Sequence, residues 1–222
     1  MKPALIPLVP LAVTVYCLIR AEFADDRRKI YFFKPLSTSL VILTALLACW
    51  DGGVVNPTYT TGILWGLGLC MAGDVMLMFP QNRKAFLVGL IFFLLGHVAY
   101  AVTFAVLGGF RAGDLVSGLV LFLLGGGLFV YMRPHLGKMQ GPVILYILVI
   151  SFMVNRAVAL FGTGVLSNLQ AWMITAGAVL FYVSDVILAY ARYVNPFRTN
   201  RISLAFYYAG QFLIALAASY FV

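Results

Sequence analysis

Charge is what this sequence has least of. Only 10% of its 222 residues are charged and seven are acidic, where an ordinary soluble domain carries roughly 25% charged residues. A water-facing surface cannot be built from so few ions, and the 63% of hydrophobic residues must be accommodated in lipid. Cysteine is scarce as well. Cys17, Cys49 and Cys70 lie apart inside apolar segments without CxxC spacing, which argues against a disulfide framework or a zinc site and leaves them as small packing residues. Histidine is rarer still: His97 alone lies within an apolar run and His135 falls in a connection, so a three-histidine zinc centre is disfavoured and no metal or other cofactor is expected. Ser-x-x-Lys, GxSxG and P-loop patterns are absent, which argues against serine acyl-enzymes and ATP-driven chemistry.

The charge that is present sums to +8. It does not point to nucleic acid, because the Lys and Arg sit at the ends of apolar runs and form no basic helix face or aromatic-basic platform. Between them, apolar runs matching the roughly 20 residues needed to cross hydrocarbon fall near 3–20, 36–50, 60–79, 85–107, 114–132, 142–160, 169–190 and 203–222. The expected fold is therefore all-α: a polytopic integral membrane protein of eight transmembrane helices, forming a single membrane domain over residues 1–222. Only Lys2 precedes the first run and no small-residue cleavage site follows before Arg20, so that run reads as a retained helix rather than a signal peptide. Lys34-Pro35 predicts that the second helix begins just before Leu36, leaving Arg20 to Lys34 as the longest connection, a solvated juxtamembrane stretch around Asp25 to Lys29.

The basic residues also orient the chain. Connections after odd-numbered spans hold twelve of the fifteen Lys and Arg, the opposite side holds Lys2 and Arg111, and Arg156 lies within a span. The positive-inside rule then puts the basic loops in the cytoplasm and both termini outside it, in the inner membrane if the source is bacterial.

Two segments echo each other: Gly73-Asp74-Val75-Met76-Leu77 in span three and Ser184-Asp185-Val186-Ile187-Leu188 in span seven, followed one span later by Gly96-His97 and Gly210-Gln211. Four-helix halves of about 1–111 and 112–222, related as a parallel repeat, are the expectation. Asp74 and Asp185 are the two acidic residues embedded in apolar helix, where a carboxylate costs at least about 2.5–3.5 kcal/mol on insertion scales. Each lies about five residues before the inner end of its span, so both carboxyls are expected about 7–8 Å below the cytoplasmic boundary. If they meet, one holds a proton and the other stays a carboxylate, a general acid beside a general base. The alternative is a pair of structural aspartates that hold the halves together.

Other polar residues within the spans complete the candidate set. His97 and Tyr100 share a face at i,i+3 and could extend the aspartate network, or His97 could be an interhelical hydrogen-bonder. Lys34, at the edge of span two, suits an aspartate partner, a phosphate ligand or a snorkelling flank residue. Asn155 pairs with Ser151 at i,i+4, Arg156 can snorkel outward, and Gly62 and Gly66 make a GxxxG for close packing. Lys34, His97, Tyr100, Asn155, Ser184 and Gln211 are the substrate-binding candidates around the two aspartates.

In this order and spacing, Lys34-Pro35, the Asp74 segment, Gly96-His97-Val98-Ala99-Tyr100 and the Ser184-Asp185 segment through Ala189 resemble the YhhN-like lysoplasmalogenase family over nearly the whole chain. The resemblance implies a hydrolase that cleaves the vinyl ether bond of a lysophospholipid, the lysoplasmalogen, to a fatty aldehyde and a glycerophospho-alcohol, with Asp74 and Asp185 as catalytic residues. Enol ether hydrolysis suits an acid and base without a metal, because protonation at carbon followed by water attack suffices. A proton-coupled transporter or lipid translocase is the alternative, since repeated halves with buried aspartates also describe carriers.

Overall fold

A computed structural model describes residues 2–50, 55–79, 81–195 and 201–221. Among these the chain forms eight α-helices and no strand: α1 (Leu8–Phe23), α2 (Arg27–Trp50), α3 (Pro57–Leu77), α4 (Arg83–Gly108), α5 (Asp114–Leu136), α6 (Gln140–Val158), α7 (Asn168–Tyr193) and α8 (Ser203–Ala217). Six helical stretches are long and apolar enough to cross a membrane, and the longest, Asp114–Val158, contains both α5 and α6. α8 is shorter and is prolonged by a 3-10 turn over Ala218–Tyr220. The protein is a multi-pass membrane protein. Large apolar residues such as Trp65, Phe122 and Leu123 stand exposed on its outside, where lipid meets them.

The second helix corrects the sequence reading. It starts at Arg27, not at Leu36, and Pro35 lies inside it. The expected fifteen-residue connection shrinks to a tight turn, in which Asp26 accepts the Lys29 amide at 3.2 Å and the Asp26 carbonyl accepts from the Ile30 amide. Hydrogen bonding to Lys29 also holds the Asp26 carboxyl below the usual carboxylate range. Pro35 brings no amide hydrogen, so the Tyr31 carbonyl has no donor one turn on within the helix; beyond it the Tyr208 hydroxyl of α8 donates to the Lys34 carbonyl at 3.2 Å and ties α2 to α8 there.

Small residues set the closest helix approaches. Gly62 and Gly66 of α3 lie against Thr103 and Tyr100 of α4, so the GxxxG packs as its spacing implies. Gly177 of α7 and Gly210 of α8 face each other so closely that a Cβ on either would come within 2.7 or 2.6 Å of the other's carbonyl oxygen. Around these two pairs, α1 packs on α2 and α5 on α6, while α4 meets α6 and α8 meets α2. Lys2 donates to the Ser219 carbonyl and sits 3.9 Å over the Tyr220 ring, joining the start of the described chain to the 3-10 turn after α8.

Candidate active site

A cavity of about 450 Å³ opens among the helices, and Asp74 and Asp185 both line it. Leu90 and Phe93 of α4, Leu128 and Met132 of α5, and Val143, Ile147 and Ile150 of α6 make its apolar wall, while Glu22, Arg27, Arg192 and Arg201, all at helix ends, form its polar rim. Asp74 lies three residues before the end of α3 and Asp185 eight before the end of α7, about 4.5 and 12 Å along their axes.

The two carboxyls sit in unlike settings. Asp74 is 2% exposed and is surrounded by donors: Thr38 at 2.7 Å and Tyr207 at 2.8 Å give hydroxyl hydrogen bonds to Oδ2, and Lys34 Nζ stands 3.5 Å from Oδ1. Lys34 is thus buried and paired with an aspartate rather than snorkelling. Asp185 takes one hydroxyl hydrogen bond, from Tyr146 at 2.7 Å, and its Oδ2 lies 3.6 Å from His97 Nε2.

His97 is clamped. Its Nδ1 is 2.7 Å from the Phe93 carbonyl, which can only accept, so Nδ1 carries a hydrogen and the neutral ring has its lone pair at Nε2. Nε2 is buried and makes no hydrogen bond. Edge-on contacts with Phe181 and Tyr146 fix the ring plane. The structure therefore brings His97 to Asp185 alone, one link shorter than the shared network expected for it.

Of the other candidates, Ser184 lines the cavity and is buried. Tyr100, Gln211 and Asn155 are not among the described residues lining it. Tyr100 donates to Gln211 Oε1 at 2.6 Å, joining α4 to α8 behind the cavity wall. Asn155 does not pair with Ser151. It donates to the Asp114 carbonyl and to Ser117, both at 2.8 Å, and accepts from Arg156. Arg156 is buried rather than snorkelling outward: it pairs with Asp114 at 3.0 Å and donates to the Gly109 carbonyl at 2.9 Å. These residues lock the far end of α6 to the α4–α5 connection, about 15 Å along α6 from Tyr146.

Sequence reasoning missed Thr38, Tyr146 and Tyr207. Thr38 is one turn beyond Lys34 and would have been paired with it had the helix been carried through Pro35. The tyrosines gave no usable signal, because tyrosine in a membrane span is also the ordinary interfacial residue.

A multi-pass bundle with two acidic groups on one buried cavity belongs to the class of membrane proteins whose polar chemistry lies between the helices. The chain matches the YhhN family over residues 30–218, and it belongs to that family. It is 33% identical over 178 residues to a protein of Bos taurus named lysoplasmalogenase TMEM86A, covering 78% of this chain and 71% of that one. A lysoplasmalogenase of Mycobacterium tuberculosis is 28% identical over 158 residues, 69% of this chain and 58% of its own. The membrane protein YhhN of Escherichia coli O157:H7 is 27% identical over 214 residues, 93% of this chain and 95% of its own. No solved structure matches.

Proposed function

We propose that this protein is an intramembrane hydrolase that cleaves the vinyl ether bond of lysoplasmalogens, with Asp185 as general acid and Asp74 as general base in one site. The observation that carries the reading is the unequal treatment of two carboxyls on one cavity; the relatives named lysoplasmalogenase supply the substrate class. Asp74, with two hydroxyl donors and an ammonium group, is arranged as a carboxylate. Asp185 faces a nitrogen lone pair at 3.6 Å and has no Lys or Arg beside it among the described residues, so it is arranged to carry the proton.

The reaction balances on these groups. Asp185 gives its proton to the terminal carbon of the O–CH=CH unit, leaving an oxocarbenium ion on the carbon bonded to oxygen. Water adds there and passes a proton to Asp74, giving a hemiacetal. The hemiacetal hydroxyl returns a proton to Asp185 while Asp74 protonates the departing glycerol oxygen. Aldehyde and glycerophospho-alcohol leave, one water is consumed, and both carboxyls recover their starting states.

Purified protein in detergent should release fatty aldehyde from a lysoplasmalogen. Vectorial lipid movement in sealed vesicles without aldehyde would replace the hydrolase by a carrier. The rim arginines lie toward the basic connections, so the cavity opens to the cytoplasm in the orientation proposed from the Lys and Arg count. Single cysteines placed at Gly113 and Lys138 of a cysteine-free variant should react with an impermeant thiol reagent from the non-cytoplasmic and cytoplasmic side respectively. The opposite pattern overturns the orientation.

A further inference from the structure

We propose that Arg192 is the phosphate anchor of the lysolipid, setting the distance from head group to scissile bond along one face of α7. The inference rests on the proposed lysophospholipid substrate and adds the group that recognises its head. Three arginines line the rim, and two are engaged. Arg27 pairs with Asp25 at 3.0 Å, and Arg201 with Glu22 at 3.1 Å. Arg192 has no acidic partner among the described residues; its guanidinium lies 4.5 Å over the Phe86 ring, which holds it at the cavity edge and leaves its donors unspent. Lys34, the other cation on the cavity, is committed to Asp74.

The spacing fits a glycerophospholipid. Asp185 and Arg192 both line the cavity and are separated by seven residues of α7, so they share a face about 10 Å apart along the axis. A lysoplasmalogen places six bonds between its phosphorus and the vinyl carbon bonded to oxygen, about 7–8 Å when extended at about 1.25 Å of advance per bond. The guanidinium, on its long flexible stem, closes the remaining gap. With phosphate on Arg192 and the reacting carbons at Asp185, the alkenyl chain continues past Phe93 toward Ile150, where the wall is apolar.

The test uses the full chain in detergent and two non-cleavable competitors of lysoplasmalogen turnover: a saturated 1-O-alkyl lysophosphatidylethanolamine and the matching 1-O-alkylglycerol, which lacks the phosphate. A fluorescent alkyl lysophospholipid gives the same affinities by direct binding, independent of turnover. Arg192→Gln should weaken the lysophospholipid about tenfold or more, the loss of one charge-assisted contact, and leave the alkylglycerol unchanged; Arg192→Lys should recover part of the loss. Unchanged alkylglycerol affinity also shows that the variant is folded. Equal weakening of both competitors, or of neither, overturns the proposal. Inorganic phosphate competing as well as the lysolipid at equal concentration would make the rim a free-phosphate site and overturn its lipid assignment. Arg192-dependent binding without aldehyde release would preserve the anchor and refute the hydrolase.

Discussion

Among the described residues two ion pairs sit between the helices, at opposite ends of the bundle, and they are built differently. At the far end, Arg156 and Asp114 meet at 3.0 Å, and Asn155, Ser117 and the Gly109 carbonyl take up the remaining hydrogen-bonding groups. At the cavity end, Lys34 and Asp74 stand 3.5 Å apart, Asp185 has one hydroxyl donor, and a histidine nitrogen beside it has no hydrogen bond. The first arrangement spends its polar groups on each other and does not line the cavity that holds Asp74 and Asp185. The second leaves Asp185, with a single hydroxyl donor, on a cavity of 450 Å³, and the unpartnered His97 nitrogen lies behind it. Burial of charge alone therefore does not mark a site in a membrane protein; incomplete satisfaction beside a cavity does.

The comparison breaks most sharply at the carboxyls. Asp185→Asn and Asp74→Asn should each lower turnover by about 10²–10⁴-fold, the scale of general acid–base catalysis, in protein that still inserts and elutes as the wild type does. The double variant should be little worse than either single one, because groups acting as a unit are strongly non-additive. Near-normal turnover in either single variant would return both aspartates to a structural role. Aldehyde release under initial-rate conditions measures all three.

At the other end the expected loss is stability rather than rate. Arg156→Met leaves the Asp114 carboxylate only its hydrogen bond from the Arg111 amide and should cost about 2 kcal/mol in detergent unfolding, while the folded fraction turns over at the wild-type rate. Adding Asp114→Leu should recover most of that loss, since an apolar pair carries no desolvation cost. A folded but inactive Arg156→Met protein would join the two ends into one functional network.

The smallest effect sharpens the cavity end itself. His97→Gln keeps a polar side chain but removes the ring nitrogen that stands 3.6 Å from Asp185, and should lower turnover about tenfold, or about 1.4 kcal/mol. Single-turnover kinetics should place that loss in the chemical step. A loss confined to substrate affinity would make His97 a binding residue instead.

How far the site was legible follows the same division. Asp74, Asp185 and Lys34 stand out in sequence because their charge is costly in apolar helix, and the cavity collects all three. Asn155, Tyr100 and Gln211 look the same by that criterion, yet they serve packing and locking. Spacing along one helix cannot tell which neighbour a polar side chain meets, and the partners lie 111 residues away for Tyr100 and 38 for Asn155. The start of α2 was hidden for a related reason: composition reports where lipid begins, whereas the Asp26 hydrogen bonds decide where the helix begins, and these differ by more than two turns.

The sequence by itself determined that the chain is an all-helical bundle in a membrane, how many apolar runs it has, and which residues are expensive to bury, because these follow from transfer free energies that each residue carries wherever it lies. Tertiary structure alone decided that Asp74 meets Lys34 and two hydroxyls while Asp185 meets one tyrosine and an unsatisfied histidine, and that Arg156 is tied to Asp114. Those contacts bridge separate helices, and their geometry depends on how glycine faces such as Gly177 on Gly210 bring the helices together.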